Sequence, residues 1–269
     1  MKTAQQKNIS SKLAEINFVR QYDLGETQFN RAKLENINLE KKSLFRLELI
    51  EANLNYANLE KITLVDSDLS KSSAIEAKLK AANLNRVNLS AANLSNASLS
   101  LAKLTEVNFT GACLSGVSFC SVQLNKVDLS FSNLCGAYFY DVDLSDVILK
   151  GAYYNENTQF PCNFNPSTAE MVDSSNTESL DSLITRFNSI CKSSNRYLGN
   201  TITTKFLQSS RPNFDYLNQF EINRSNQIVF KGNSFAMVNP QLHYYFDIWM
   251  NSFIDSCSKI VKNFNKIIL

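Results

Sequence analysis

Of twenty-six positions spaced five residues apart, from Leu24 through Leu34, Leu54, Leu84, Phe109 and Phe139 to Leu149, twenty-five carry leucine or phenylalanine, and only Ala74 breaks the series. Residues five apart sit about 140° round a helix axis and on opposite faces of a strand, so neither element gives them one buried stripe. Two residues before each site the chain is nearly always small or β-branched, as at Ala52, Ala57, Ala82, Val87, Ala92, Val107, Val117 and Val142. Both positions stay inside only if the chain turns a corner after every unit, and four units of five close a square coil of twenty residues.

The unit reads A-N-L-x-x, stated outright at Ala52-Asn53-Leu54, Ala57-Asn58-Leu59, Ala82-Asn83-Leu84 and Ala92-Asn93-Leu94. The series resembles the pentapeptide repeat family, and is similar to its cyanobacterial or plastid members. The resemblance implies a mainly β fold over residues 22–154, a right-handed quadrilateral β-helix, followed by a small α+β C-terminal domain. At a strand spacing of about 4.8 Å the roughly six and a half coils make a rod about 30 Å long.

A coil of twenty residues makes positions twenty apart vertical neighbours. Glu26, Arg46, Asp66, Arg86, Glu106, Lys126 and Asp146 alternate in sign at that interval, and Arg31, Glu51 and Lys71 begin a second series. Opposite charges facing each other on adjacent strands favour register and solubility. Inside, one face stacks Leu39, Leu59, Leu79 and Leu99 before changing to Phe119 and Phe139, so the core widens toward the C-terminal end. Ala74 leaves a gap whose cost is about 2–5 kcal/mol if unfilled. A local slip swinging Ile75 inward is the expected answer to it.

A stacked β-helix exposes core and unpaired backbone at both ends, so each end needs a lid. Leu13, Ile16 and Phe18, in residues 1–21, are expected to lid the first coil. After the repeat, residues 155–176 carry Pro161, Pro166 and a serine-rich run and read as a linker. Residues 177–269 read as an α+β module. A helix from Thr177 to Arg196, capped at Thr177 or Ser179, carries Leu180, Leu183, Phe187 and Cys191 on one face; strands around Phe214–Ile222 and Gln227–Phe230, joined by Asn223–Asn226, follow as a hairpin, and a last helix opens at Asn239-Pro240 and runs to about Phe264. Trp249 is expected in that module's core.

Nothing in the sequence marks an enzyme. The six cysteines form no C-x-x-C pair or metal spacing and are expected as reduced, mostly buried thiols; the lone His243 lies outside any motif. Gly111, Gly116, Gly136 and Gly151 fall at corners, where tight turns suit them, and make no phosphate loop. No cofactor is expected. Residues 20–155 hold 14 Lys and Arg against 15 Asp and Glu. That balance lacks the acidic field by which some family members are described as mimicking duplex DNA and binding topoisomerases, and lacks the basic face that nucleic acid requires. Neither a nucleic acid nor a membrane is expected as partner. The start lacks a signal-peptide core, and the expectation is a cytoplasmic protein, or a stromal one if organellar.

Outward positions that carry apolar side chains are the remaining functional signal. Phe45 and Val65, twenty apart, should stack and point outward with Ile50 on the adjoining face; near the other end Phe131, Tyr138, Tyr140 and Ile148 should also face out. The first group serves as a contact patch or is covered by the N-terminal lid; the second is where the tail module or an external partner docks. The expected role is a non-catalytic interaction scaffold or regulatory adaptor with an unidentified protein partner, and homodimerisation through a rod end is possible. Two alternatives are a DNA-mimic topoisomerase-binding protein, and a ligand-binding tail, with Arg211, Arg224 and Tyr216 converging, for which the rod is a spacer.

Overall fold

The computed structural model describes residues 4–176, 179–212, 215–231, 240–262 and 264. The chain divides into two compact units, Met1–Ser175 and Asn176–Leu269.

The first unit is a β-solenoid of about seven turns. Its faces run in order through four buried columns. Phe29, Leu49 and Leu69 begin the first, Leu34 and Leu54 the second, Leu39 and Leu59 the third, and Leu44 and Leu64 the fourth. Parallel pairing joins residues twenty apart throughout, as in Lys33 with Asn53 and Asn38 with Asn58. On the fourth face the bridges lengthen into β1 (Ser43–Phe45), β2 (Thr63–Val65), β3 (Asn83–Asn85), β4 (Lys103–Thr105) and β5 (Gln123–Asn125), which form one sheet in that order.

The corners explain the period. From 31 to 151 the residue two beyond each central position has φ between 50° and 69° at every corner except Asp146. That left-handed conformation costs a non-glycine residue about 1–2 kcal/mol, and the ladders on both sides of the corner hold it there. At corners of the first three faces a hydrogen bond closes the turn, as from Ala32 N to Phe29 O at 3.1 Å and from Ala57 N to Leu54 O at 3.0 Å. The Asn and Asp residues before the central leucines supply the other half. Asn53, Asn58, Asp68, Asn88 and Asn93 each accept from the N–H two residues on, at 2.8–3.2 Å. Their short side chains thus satisfy a backbone donor at the point where the strand ends.

Each end of the rod carries a packed segment, in part as the sequence suggests. Residues 4–23 form α1 (Ala4–Asp23). Among its described apolar side chains only Phe18 is buried, its ring 4.4 Å from Phe29, with Val19 and Tyr22 beside it. Leu13 and Ile16, expected in the lid, are 56% and 54% exposed because a helix puts them on the face opposite Phe18. Leu24 is no repeat position either. It ends the helix, 79% exposed, where Gly25 (φ 95°) donates to Tyr22 O and Glu26 to Gln21 O. That paired reversal is a Schellman stop, and the buried series begins at Phe29.

At the other end residues 155–173, anticipated as a linker, pack on the rod instead. Phe119, Phe139 and Phe160 stack at 4.8 and 5.7 Å, Phe164 closes on Phe160 at 5.0 Å, and Met171 is buried behind them. Tyr138 pairs with Gln159, one residue late, because Asn155 and Thr158 hold an inserted residue against Gly136 N. β6 (Val127–Asp128) pairs with β7 (Val147–Ile148), and β8 (Tyr153–Tyr154) with β9 (Val172–Asp173). The slip expected at Ala74 does not occur. Ser73 stays bridged to Asn53 and Asn93, Ala74 is buried, and Ile75 remains half-exposed.

In the second unit α2 (Leu180–Ser210) starts at Ser179, whose side chain accepts from Ser182 N at 3.2 Å. The helix runs past the expected end near Arg196 and bends at Gly199, where φ 76° and ψ 164° suit only glycine. β10 (Phe220–Ile222) and β11 (Ile228–Phe230) make the antiparallel hairpin, and Asp215–Gln219 is a 3₁₀ turn rather than strand. α3 (Pro240–Ser258) brings Phe246, Trp249 and Phe253 against Phe187, with ring centroids 5.4–5.6 Å apart. Trp249 is buried and donates to Leu207 O at 3.0 Å.

Candidate functional site

Phe45 and Val65 are register partners at the ends of β1 and β2. Phe45 is 49% exposed and Val65 half-buried. The N-terminal helix reaches this edge, since the Tyr22 hydroxyl accepts from Phe45 N at 2.8 Å. Ile50 lies past the Arg46 corner on the first face, half-buried, with its N–H given to Asn30 Oδ1 at 2.9 Å. The three residues therefore straddle one corner instead of sharing a plane.

Phe131, Tyr138 and Tyr140 do not form one patch. Phe131 is a half-buried corner residue after the first face, lying over Gly151, where a Cβ would stand 2.6 Å from its ring. Tyr138 and Tyr140 flank Phe139 on the opposite, third face, with Tyr140 76% exposed. Ile148 is exposed on the first face in β7. Beside Tyr140 a cavity of about 680 Å³ opens, floored by Phe139, Val142 and Phe160, edged by Pro161 and Cys162, and rimmed by Asp141 and Asp143. Sequence reading missed this cavity; the one available signal was Pro161, which cannot continue a ladder.

The charge ladder is realised in part. Arg86 grips Asp66 through two hydrogen bonds, at 2.5 and 2.9 Å, which hold the Asp66 carboxyl below the usual carboxylate range and push Arg86 upward. Lys126 lies 3.9 Å from Glu106, while Asp146 takes the Lys126 backbone N–H instead. Arg31 pairs with Glu51 at 2.8 Å on the second series. Both signs thus alternate along the edge, and no single-sign field develops there.

In the tail, Arg211 donates to Leu217 O and Phe220 O and lies 5.1 Å over the Trp249 ring, so its charge is used within the fold. Burial lowers its pKa. Arg224 is exposed on the hairpin turn, and the Tyr216 and His243 side chains lie outside the described residues. Asn226 is buried and bonded to Asn195, Asn200 and Thr204, which ties the hairpin turn to the α2 bend. Of the cysteines only Cys191 and Cys257 are buried, fewer than expected, and Cys162 is exposed. Burial pushes the Cys191 thiol up to about 12. Among the described residues no cluster of three His, Cys, Asp or Glu is placed to hold a metal, and no helix is long and apolar enough to cross a membrane.

The pentapeptide repeats family matches residues 48–86, 82–119 and 121–153, in eight copies. No curated protein matches the chain. Solved structures similar to it include full-length QnrB1, a plasmid-mediated fluoroquinolone resistance protein, at 13% identity over 55% of this chain and 89% of that one, with a TM-score of 0.28. A pentapeptide repeat protein from the Arabidopsis thaliana thylakoid lumen matches at 24% identity, 41% and 70% coverage and a TM-score of 0.27. HetL from the cyanobacterium Nostoc, involved in heterocyst differentiation regulation, matches at 29%, 51% and 65%, with a TM-score of 0.19. Superpositions this loose carry no argument about function. The five-residue corners and the twenty-residue register coincide with the family match, so residues 48–119 and 121–153 of this chain are pentapeptide repeats.

Proposed function

We propose that the protein is a non-catalytic interaction scaffold, a regulatory adaptor whose rod presents outward side chains to a protein partner. The observation that carries this reading is the exposure of Phe45 and Tyr140 at rod positions that are elsewhere mostly polar, since exposed aromatic side chains on a rigid surface are favoured contact anchors. A soluble compartment, cytoplasm or plastid stroma, belongs to the same proposal. Topoisomerase binding by DNA mimicry is less favoured, because the edge pairs Asp66 with Arg86 and Glu106 with Lys126 where mimicry needs one sign. A ligand-binding tail is less favoured because Arg211 is engaged with Leu217, Phe220 and Trp249.

The test is affinity capture from the native host with the full chain, compared with Phe45→Ser/Val65→Ser and Tyr138→Ser/Tyr140→Ser forms. A protein retained by the wild type and lost with one pair supports the reading and places the surface. A topoisomerase as the captured protein, with inhibition of its activity, would instead establish the topoisomerase role.

A further inference from the structure

We propose that the groove beside Tyr140 is a docking site for an extended, basic segment of a protein partner, which would add a strand to the open edge at Asp141–Leu144. This rests on the adaptor reading and names the chemistry of its partner.

The first observation is the backbone. On preceding turns of the rod each corner amide is taken by the turn above, as Lys41 N by Glu60 O and Lys61 N by Lys80 O. The next turn never reaches residues 141–144, because the chain leaves the third face at Phe160-Pro161 and returns only at β9. Corner and central-residue amides are the ones that go to the turn above, as Ser121 N to Tyr140 O and Leu39 N to Asn58 O, so the absent turn leaves the N–H groups of Asp141 and Leu144 facing outward with no acceptor among the described residues. Residues 143–145 also belong to no strand or bridge, whereas every earlier turn of that face is paired in the five-stranded sheet. Outward-facing amides where the stack of turns stops are what strand addition uses.

The second observation is the lining. Phe139, Val142 and Phe160 give the groove an apolar floor, with Tyr140 standing exposed at its side. The third is charge. Asp141 accepts from the Ser121 hydroxyl at 3.1 Å and Asp143 from Ser145 N at 2.9 Å, and among the described residues neither pairs with a lysine or arginine. No cation lines the groove. An occupant must therefore bring carbonyls to the amides, an apolar side chain to the floor, and lysine or arginine to the rim, with positive charge matched to the two carboxylates. A strand with basic residues two apart and a β-branched residue between them meets all three.

The probe is an immobilised positional-scanning hexapeptide library, screened with the full chain and with Asp141→Asn/Asp143→Asn. Glu106→Gln, on an earlier turn, is the control. Both aspartates are exposed, so circular dichroism should confirm an unchanged fold. The expected result is selection of peptides with alternating basic and β-branched residues. In fluorescence anisotropy the selected peptide should bind the double variant about tenfold more weakly and the control equally well. Selection without basic preference, equal binding by the double variant, or no selection overturns the proposal. So does a dimer in sedimentation that the double variant dissociates, which would make a second copy the occupant. If a captured host partner is kept by the double variant, the groove inference fails while the adaptor reading stands; if neither library nor host yields a binder, both fail.

Discussion

Ala74→Leu should stabilise the rod. Ala74 sits in the second column between Leu54 and Leu94, and its backbone keeps the regular ladder, with Ala74 N to Asn93 O at 2.7 Å and Leu54 N to Ser73 O at 2.6 Å. The turns have not closed on the missing side chain. Nearby, the Ser72 hydroxyl is buried with no hydrogen-bond partner. Leucine adds three carbons, worth about 2.4 kcal/mol of transfer free energy at about 0.8 kcal/mol each. Loss of side-chain freedom takes back about 0.5 kcal/mol, leaving a gain of about 2 kcal/mol. For a unit of this size that raises the melting temperature by about 4–8 °C. Trp249 is the only tryptophan and lies in the second unit, so its fluorescence follows the tail, while amide hydrogen exchange of residues 29–154 in urea follows the rod. The rod transition should move and the tryptophan transition should not. A rod destabilised by about 1–3 kcal/mol, the cost of overpacking, would mean that the space is already filled and refute the reasoning.

Phe18→Ala removes the buried lid over Phe29 and should cost about 3–4 kcal/mol at the N-terminal end, read as loss of amide-exchange protection over residues 27–45 with the last turns unaffected. The Asp66 carboxyl is held low by Arg86, so its contribution to stability is present above the unfolded-state value near 3.8 and lost as pH falls through the lower folded value. Carbon-detected titration should show Asp66 returning toward 3.8 in Arg86→Ala. Thiol modification near pH 8 should find Cys162 fast and Cys191 protected, since burial pushes Cys191 to about 12; Cys162→Ser should abolish the fast phase. Gly151→Ala drives a Cβ into the Phe131 ring at a positive φ and should destabilise the rod by about 1–3 kcal/mol, with Phe131→Ala relieving part of the loss.

The rod was legible because its constraint is periodic. Leucine every five residues and opposite charges every twenty follow from a single geometry, which shows once many units are read in register. The features that escaped sequence reading are those where the period stops. Leu24 keeps the spacing by coincidence, yet a Schellman reversal at Gly25 ends the helix there and leaves it in solvent. Residues 155–173 look like a linker by composition, but Phe160, Phe164 and Met171 complete the aromatic column begun by Phe119. The expectation at Ala74 overweighted a cavity's cost against that of breaking in-register ladders on both neighbours. Tyr138 and Tyr140 were legible as outward, being placed either side of a central phenylalanine. The groove beside them was not, because it arises from where the chain fails to go.

Hydrogen–deuterium exchange of the full chain, free and with the partner recovered by affinity capture, tests the central claim most directly. The account predicts slowed exchange on the rod in the segments carrying the docking residues, at 140–145 or around Phe45 and Val65, with the second unit unchanged. Protection confined to residues 180–258, with the rod exchanging as it does alone, would contradict it and make the rod a spacer.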